Sequence, residues 1–307
     1  MDPAPKADLF NPQSTIGAFQ ISALISFVFF GILTCQTYTY FSRFSKDSWA
    51  IKFLVVFAYA NEVGHAICTG HAIYTYTILD YGHPERLLDG AVPKSLGASL
   101  LFGLAIVFCV QSCFAYKIYA LYKKPYIPVP CFAASTAGAI CGLVLFVNTI
   151  LMTTLRSGIH TQKWLLTIFW ALTAVNDLAI TAALSFFFIK HRSAVHKSTK
   201  VLVDRLTVWT LETGLLTSIV AMTCFACFTT NPDNFVWVAF FVLHPQLYSM
   251  SLMASLHSRA TLRDATSSSI RFQNVPLSLD GIQMTVSKVV ASNFGLEGGT
   301  DNDSQDV

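Results

Sequence analysis

Charged residues are scarce in this chain. Only 12% of its 307 residues are Asp, Glu, Lys or Arg, whereas 53% are hydrophobic and the mean hydropathy is +0.53. Soluble domains carry about 25% charged residues, so this composition excludes an ordinary soluble protein and indicates a polytopic membrane protein. The formal net charge of +3 is small and does not indicate nucleic-acid binding, and we expect no nucleic-acid partner.

The short motifs of common enzymes are also missing. The sequence contains no GxSxG, P-loop or HExxH motif, so hydrolase, ATPase and zincin functions have no support. We therefore predict that the protein is not an enzyme, with no catalytic residue, bound metal or cofactor. The last apolar segment has no Lys to form a retinal Schiff base, which disfavours a microbial rhodopsin.

Cysteines are present but do not indicate disulfides. All eight lie inside or at the edge of apolar segments, so we predict no disulfide framework. Cys224 and Cys227 have CxxC spacing within an apolar helix, without a neighbouring His or a second pair. We interpret them as small packed side chains rather than as a redox or metal site.

Long uncharged segments dominate the rest of the chain. About 20 apolar residues suffice to cross the hydrocarbon core, and seven segments are long enough. The predicted spans are 15–41, 50–78, 95–120, 131–155, 164–189, 203–229 and 234–256. We therefore predict an all-α membrane protein, a seven-transmembrane helix bundle. It occupies residues 15–260, between an exterior segment at 1–14 and a polar, mostly disordered cytosolic tail at 261–307.

The basic residues are distributed unequally between the two ends of these spans. Fifteen of the twenty Lys and Arg fall on the side where the chain ends, and five fall on the other side. The positive-inside rule then places the N-terminus outside and the C-terminus in the cytosol. We expect a multi-pass protein of the plasma membrane or an endomembrane. A cytosolic partner would dock on the basic loops, above all 190–200, and on the tail.

Away from their ends, three spans carry one acid each, and no span carries a Lys or Arg there. Glu62 and Asp177 lie near mid-depth, and Glu212 lies in the cytosolic half, at a rise of about 1.5 Å per residue. A carboxyl without a basic partner in a low-dielectric site takes up a proton, or recruits a cation or a hydrated cavity. We predict a ligand or ion site at these three acids and His65, one turn after Glu62. The alternative is that polar neighbours make each acid a structural link between helices.

The last span contains a proline among polar residues. In His244-Pro245-Gln246-Leu247-Tyr248, the Pro and Tyr have the spacing of the NPxxY switch of G-protein-coupled receptors, with His in place of Asn. No DRY-like triplet ends the third span, so this likeness to receptors is topological only. We predict a helix kink at His244, Pro245 and Tyr248, supported by neighbouring polar groups.

Two further motifs have structural explanations. Glu62 and His65 form an ExxH motif, but di-metal bundles need matching ligands from four helices and only one such helix occurs. Gly138 and Gly142 form a GxxxG motif, which permits close helix approach. Packing within the bundle explains the two glycines, and a homodimer through them is the alternative.

Five stretches together resemble one known family. They are GILTCQTYTYFSRFSKD in the first span, YGHPERL in the exterior, NDLAITAAL in the fifth span, VDRLTVWTLETGLLTS, and LYSMSLMASLHSR at the close. The combination resembles a basidiomycete family of seven-helix membrane proteins known only as a domain of unknown function, number 6534. The likeness extends over nearly the whole chain to about Arg263, although His257 stands where relatives look like having Asn. It implies the fold, the topology and a fungal context, and no activity.

Three functional hypotheses follow. The topology, short loops, basic third cytosolic loop and serine-bearing tail favour a receptor-like or sensory protein. The unpaired acids favour a proton- or cation-coupled transporter or channel, in which Glu62, His65 and Asp177 bind or relay the ion and Glu212 lies at the cytosolic exit. A structural membrane scaffold is the third. Convergence of the carboxyls on one hydrated cavity would favour a functional site, and separate helix contacts would favour packing.

Overall fold

The computed structural model describes residues 13–81, 93–151, 155–191, 197–230 and 236–273. Seven long helices occupy these ranges, and they contain no strand. The helices are α1 (Ala18–Arg43), α2 (Trp49–Tyr74), α3 (Lys94–Tyr122), α4 (Pro128–Leu151), α5 (Leu155–His191), α6 (Lys197–Thr230) and α7 (Val236–Gln273). A π-helical turn, Gln13–Gly17, precedes α1, and another, Thr75–Leu79, extends α2.

All seven helices are long and apolar enough to cross a membrane. The candidate spans are Thr15–Arg43, Trp49–Leu79, Lys94–Tyr122, Pro128–Leu151, Thr161–Lys190, Leu211–Thr230 and Val236–Ser258. They agree with the predicted spans within a few residues; in the sixth, the described side chains begin at Leu211, within the helix Lys197–Thr230. The predicted all-α fold with seven apolar helices is therefore confirmed.

The chain divides after Leu262 into two units, and the helix bundle lies in the first. The described part of the second unit, 263–273, is helical, and it lies in the region predicted as a tail. The segments 1–12 and 274–307 lie outside the described residues. The predicted exterior segment and most of the predicted tail therefore stay predictions.

Apolar side chains form clusters at both ends of the bundle. The end of the bundle at which α1 begins is called the predicted exterior end. The end at which α1 finishes is called the predicted cytosolic end. The large side chains of the exterior cluster include Phe19, Phe169, Trp170, Phe228 and Trp237. The cytosolic clusters include Leu33, Tyr40, Val110, Leu252 and Leu256, and also Ile118, Ile180 and Leu184. Buried polar residues occupy the level between them.

Helix α7 is surrounded by the other helices. In an 18-residue stretch of its candidate span 67% of the residues are buried, compared with 28–44% in stretches of the same length from the other six spans. Large exposed hydrophobic side chains, such as Val28, Ile67 and Val175, occur on α1 to α6, as expected for surfaces that face lipid. None of those described belongs to α7. Side chains at the middle of α7 therefore contact protein rather than lipid.

Glycines permit two close helix contacts in the bundle. A Cβ added to Gly103 of α3 would lie 2.8 Å from Pro245 Cγ, so the backbone of α3 packs directly against the Pro245 ring of α7. A Cβ added to Gly142 of α4 would lie 2.5 Å from Leu104 Cδ1 of α3. Gly138 is also buried within the protein. The GxxxG face therefore packs against helices of the same chain.

All eight cysteines lie among the described residues, and none of them forms a disulfide bond. The Cys224 thiol donates a hydrogen bond to the Trp237 carbonyl oxygen at 3.3 Å, which joins α6 to the start of α7.

Candidate polar site in the bundle core

The middle of α7 carries a run of buried polar side chains. His244, Gln246, Tyr248, Ser249 and Ser251 are all at most 5% exposed. Successive residues of a helix point about 100° apart, so this run reaches several neighbouring helices at one depth. Helix α7 thereby brings together polar groups that are distant in the sequence.

Asp177 belongs to a hydrogen-bonded triad that joins three helices. Gln111 Nε2 of α3 donates to Asp177 Oδ1 of α5 at 2.9 Å and approaches the Tyr248 hydroxyl of α7 at 3.2 Å. The Tyr248 hydroxyl donates to the other carboxyl oxygen, Oδ2. We name Gln111, Asp177 and Tyr248 the core triad. All three residues are buried, so both carboxyl oxygens receive protein donors instead of water.

A small cavity adjoins the core triad. Its volume is about 40 Å³, which gives room for at least one water molecule. Beyond the triad its lining comes from α5, α6 and the part of α7 nearer the predicted cytosolic end, including Thr213, Thr217, Ser251, Ala254 and Ser258. Polar groups on several sides make this a site in which water can be hydrogen-bonded.

Glu62 lies in a second polar cluster, on the side of α7 that faces α2. Ser249 Oγ donates to Glu62 Oε1 at 2.6 Å, and both residues are almost completely buried. Within the described part of the chain, Glu62 Oε2, both ring nitrogens of His65 and Thr69 Oγ1 have no hydrogen-bond partner. Three polar residues at one-turn spacings on α2 thus present buried groups that protein atoms leave unsatisfied.

The predicted kink residues lie between these two clusters. The His244 ring lies 5.2 Å from the Trp170 ring and 4.8 Å from the Tyr248 ring, centroid to centroid, in edge-to-face geometry. Pro245 lies inside α7, which continues as one helix from Val236 to Gln273. The neighbouring Gln246 donates from Nε2 to Ser26 Oγ of α1. The kink itself stays a prediction.

Glu212 is separate from the other acids. Its side chain is exposed and lines a groove of about 490 Å³ between α1, α6 and α7. Thr213 and Ala254 line both this groove and the cavity beside the core triad. The three acids therefore do not share one cavity. Glu62 and Asp177 each bond to one of two adjacent residues of α7, and Glu212 lies apart from both clusters.

Sequence reasoning missed several members of these clusters. Gln111, Gln246 and Ser249 are uncharged, and each lies within a predicted span. The available signal is an amide or hydroxyl near mid-depth of a predicted span, where an unsatisfied polar group is costly. That signal marks each residue as a candidate but does not pair it with a particular acid. Among the side chains described, no three His, Cys, Asp or Glu are grouped to hold a metal ion.

Comparison with known proteins adds one match. The model of a family described as "Family of unknown function (DUF6534)" matches residues 173–261. That region contains Asp177, Glu212, Tyr248 and Ser249 but not Gln111 or the α2 residues. Neither a curated protein nor a solved structure matches the chain. This part of the chain is thus similar to a domain of unknown function, and the match supplies no activity.

Proposed function

We propose that the protein is a receptor-like or sensory membrane protein in which α7 repacks between two states. The observation that carries this proposal is the core triad, which holds α3, α5 and α7 together by hydrogen bonds inside an apolar bundle. A complete polar network in a low-dielectric core is stabilising, and a broken one is costly. Such a network favours discrete arrangements rather than gradual deformation.

Two features beside the triad make α7 the element that moves. Pro245 has no backbone N–H for a carbonyl one turn earlier, so the helix is weakest to bending there. The 40 Å³ cavity leaves space on the predicted cytosolic side of Asp177 and Tyr248. A stimulus that favours the alternative packing would therefore displace the cytosolic end of α7.

The excess of Lys and Arg supports an orientation with the N-terminus outside and the C-terminus in the cytosol. In that orientation, the basic loops meet a cytosolic partner that carries an acidic surface. The protein acts by binding and conformational change, without catalysis, in the plasma membrane or an endomembrane. Packing of the GxxxG face within the bundle gives no support to a homodimer through it.

Amide hydrogen exchange in lipid nanodiscs tests this proposal. The variant Tyr248→Phe removes one donor to Asp177 and should raise exchange over 249–258 more than elsewhere, because the cytosolic end of α7 loses its attachment. Tyr116→Phe is the matched control, since Tyr116 is 71% exposed on α3. Equal exchange over 249–258 in Tyr248→Phe and the wild type would indicate a structural scaffold instead.

Proton- or cation-coupled transport is the second candidate. The unsatisfied Glu62 Oε2 and His65 nitrogens favour it, because such groups can take up a proton or an ion. Their separation from the cavities at Asp177 and Glu212 argues against a continuous path. Reconstituted liposomes distinguish the candidates: transport requires a proton or cation flux that Glu62→Gln abolishes, and the receptor-like proposal predicts no flux.

A further inference from the structure

The groove at Glu212 lies at one edge of the membrane-crossing region. Thr39 lies one turn before Arg43, where α1 ends, and it lines the groove together with Glu212 and His257. The groove volume of about 490 Å³ falls in the range of small-molecule sites, roughly 300–1,000 Å³. A ligand there would lie near the depth of lipid headgroups, on the predicted cytosolic side.

Hydrogen-bond acceptors dominate the polar lining of this groove. His257 Nδ1 lies 2.9 Å from the Met253 carbonyl oxygen, which only accepts, so Nδ1 donates its proton, and in that tautomer Nε2 is an acceptor. That Nε2 and Gln36 Oε1 are buried and have no protein partner within the described residues. The Thr39 hydroxyl gives its proton to the Cys35 carbonyl oxygen at 2.8 Å, which leaves its oxygen as an acceptor.

Glu212 adds a negative charge to these acceptors. Its carboxylate accepts hydrogen bonds only, and among the described residues no cation pairs with it. The groove therefore offers a carboxylate, a carbonyl oxygen and an imidazole nitrogen, and none of the described residues that line it is cationic. A complementary ligand group has a positive charge and several N–H donors.

We propose that the groove binds the primary ammonium headgroup of a membrane lipid such as phosphatidylethanolamine. A primary ammonium has three N–H donors and one positive charge, which match Glu212, Gln36 and His257. A quaternary ammonium has the charge but no donor, and a sterol hydroxyl has one donor and no charge. An anionic headgroup would be repelled by Glu212.

The open side of the groove supports a bilayer lipid as the ligand. Ile32 and Cys35, which line it, are exposed on α1, and Ile32 is 42% exposed. The same helix has other large exposed hydrophobic side chains, including Val28 at 62% and Phe41 at 41%. An acyl chain can lie along this surface while the headgroup occupies the polar end of the groove.

This site is distinct from the core triad. Thr213 and Ala254 form a shared wall between the groove and the cavity at Asp177, so a bound lipid would lie one side-chain layer from the triad. Binding of the lipid does not require the receptor-like function, and a failure of either proposal leaves the other standing.

Native mass spectrometry tests the lipid site. Protein from nanodiscs with equal amounts of phosphatidylethanolamine and phosphatidylcholine is released, and the retained lipids are identified. We expect one phosphatidylethanolamine per chain, retained about tenfold over phosphatidylcholine, which corresponds to ~1.4 kcal/mol and fits charge-assisted hydrogen bonds. Glu212→Gln should abolish the preference, and Asp80→Asn, at the opposite end of the bundle, should preserve it.

Two additional measurements keep the outcome decisive. If Glu212→Gln does not fold, Cys35→Trp fills the groove without changing charge and should also abolish retention of phosphatidylethanolamine. Water-soluble ethanolamine is added as a competitor, and a lipid site predicts little competition at millimolar concentrations. Equal retention of both lipids by the wild type, preference unchanged in the groove variants, or full displacement by ethanolamine would each overturn the proposal.

Discussion

Two buried serines on α7 differ in what their hydroxyl groups contact. Ser249 donates to Glu62 on another helix at 2.6 Å, whereas Ser251 donates to the Leu247 carbonyl oxygen of its own helix at 2.8 Å. Loss of the first bond leaves a buried carboxyl without a protein donor, and loss of the second leaves a carbonyl already bonded within the helix. The difference isolates the contribution of a contact between helices.

We expect Ser249→Ala to lower the free energy of unfolding by ~1–3 kcal/mol, the cost of an unsatisfied buried acceptor. Ser251→Ala is the matched control and should change it by less than about 0.5 kcal/mol. Unfolding of the detergent-solubilised protein by denaturant measures both. Equal losses in the two variants would contradict a specific role of the contact between Ser249 and Glu62.

The core triad predicts coupling between its members. Tyr248→Phe should lower the free energy of unfolding by ~1–3 kcal/mol, and Tyr116→Phe should leave it nearly unchanged. Because Tyr248 and Asp177 share a hydrogen bond, combining Tyr248→Phe with Asp177→Asn should give a coupling energy of ~0.5–3 kcal/mol. Additive losses in this double-mutant cycle would show that the two side chains do not act together.

For individual residues, the sequence identifies the acids within the spans more readily than the side chains that form hydrogen bonds with them. Glu62 and Asp177 stand out because a carboxyl is rare inside an apolar span. Ser249 does not stand out from the serines around it, and only the rotation of α7 relative to α2 turns it towards Glu62. Glu212 looks similar to the other acids in the sequence but is exposed, because its position on the helix faces a groove.

Among the helices, the contact between α3 and α7 depends on one glycine. We expect Gly103→Ala to lower the free energy of unfolding by ~1–3 kcal/mol, since the added methyl would meet the rigid Pro245 ring at 2.8 Å. Gly31→Ala on α1 has nothing within 4 Å of the added Cβ and should change stability by no more than about 1 kcal/mol, in the stabilising direction. Thermal unfolding in detergent compares them, and a loss in Gly31→Ala as large as in Gly103→Ala would exclude this explanation.

The helices themselves follow from the sequence because each is a long uncharged segment, and hydrocarbon permits few alternatives to a helix. The central position of α7 does not follow in the same way. An 18-residue stretch of its span and one of the α2 span have the same mean hydropathy of 1.3, yet 67% of the first stretch is buried compared with 28% of the second. A hydropathy average does not separate a side chain that faces lipid from one that faces a neighbouring helix.

For the whole molecule, the excess of basic residues predicts which face is cytosolic. Glycosylation acceptor sites inserted at 82–92 should be modified, and the same sites inserted at 192–196 should not, because only the first loop is predicted to be exterior. Expression in glycosylating cells followed by gel mobility measures this. Modification at 192–196 alone would show that the orientation is the reverse of the predicted one, with the Glu212 groove in the exterior leaflet.

The proposed two-state behaviour of α7 depends most on whether the core triad restrains this helix. Spin labels on non-natural amino acids at Tyr119 of α3 and Leu262 of α7 measure the distance between these helices in nanodiscs without altering the eight native cysteines. Loss of ~1.4 kcal/mol from the triad should raise the proportion of the minor state about tenfold. The account predicts one dominant distance in the wild type and a second, longer distance in Tyr248→Phe and Asp177→Asn. Identical distance distributions in the wild type and both variants would contradict it.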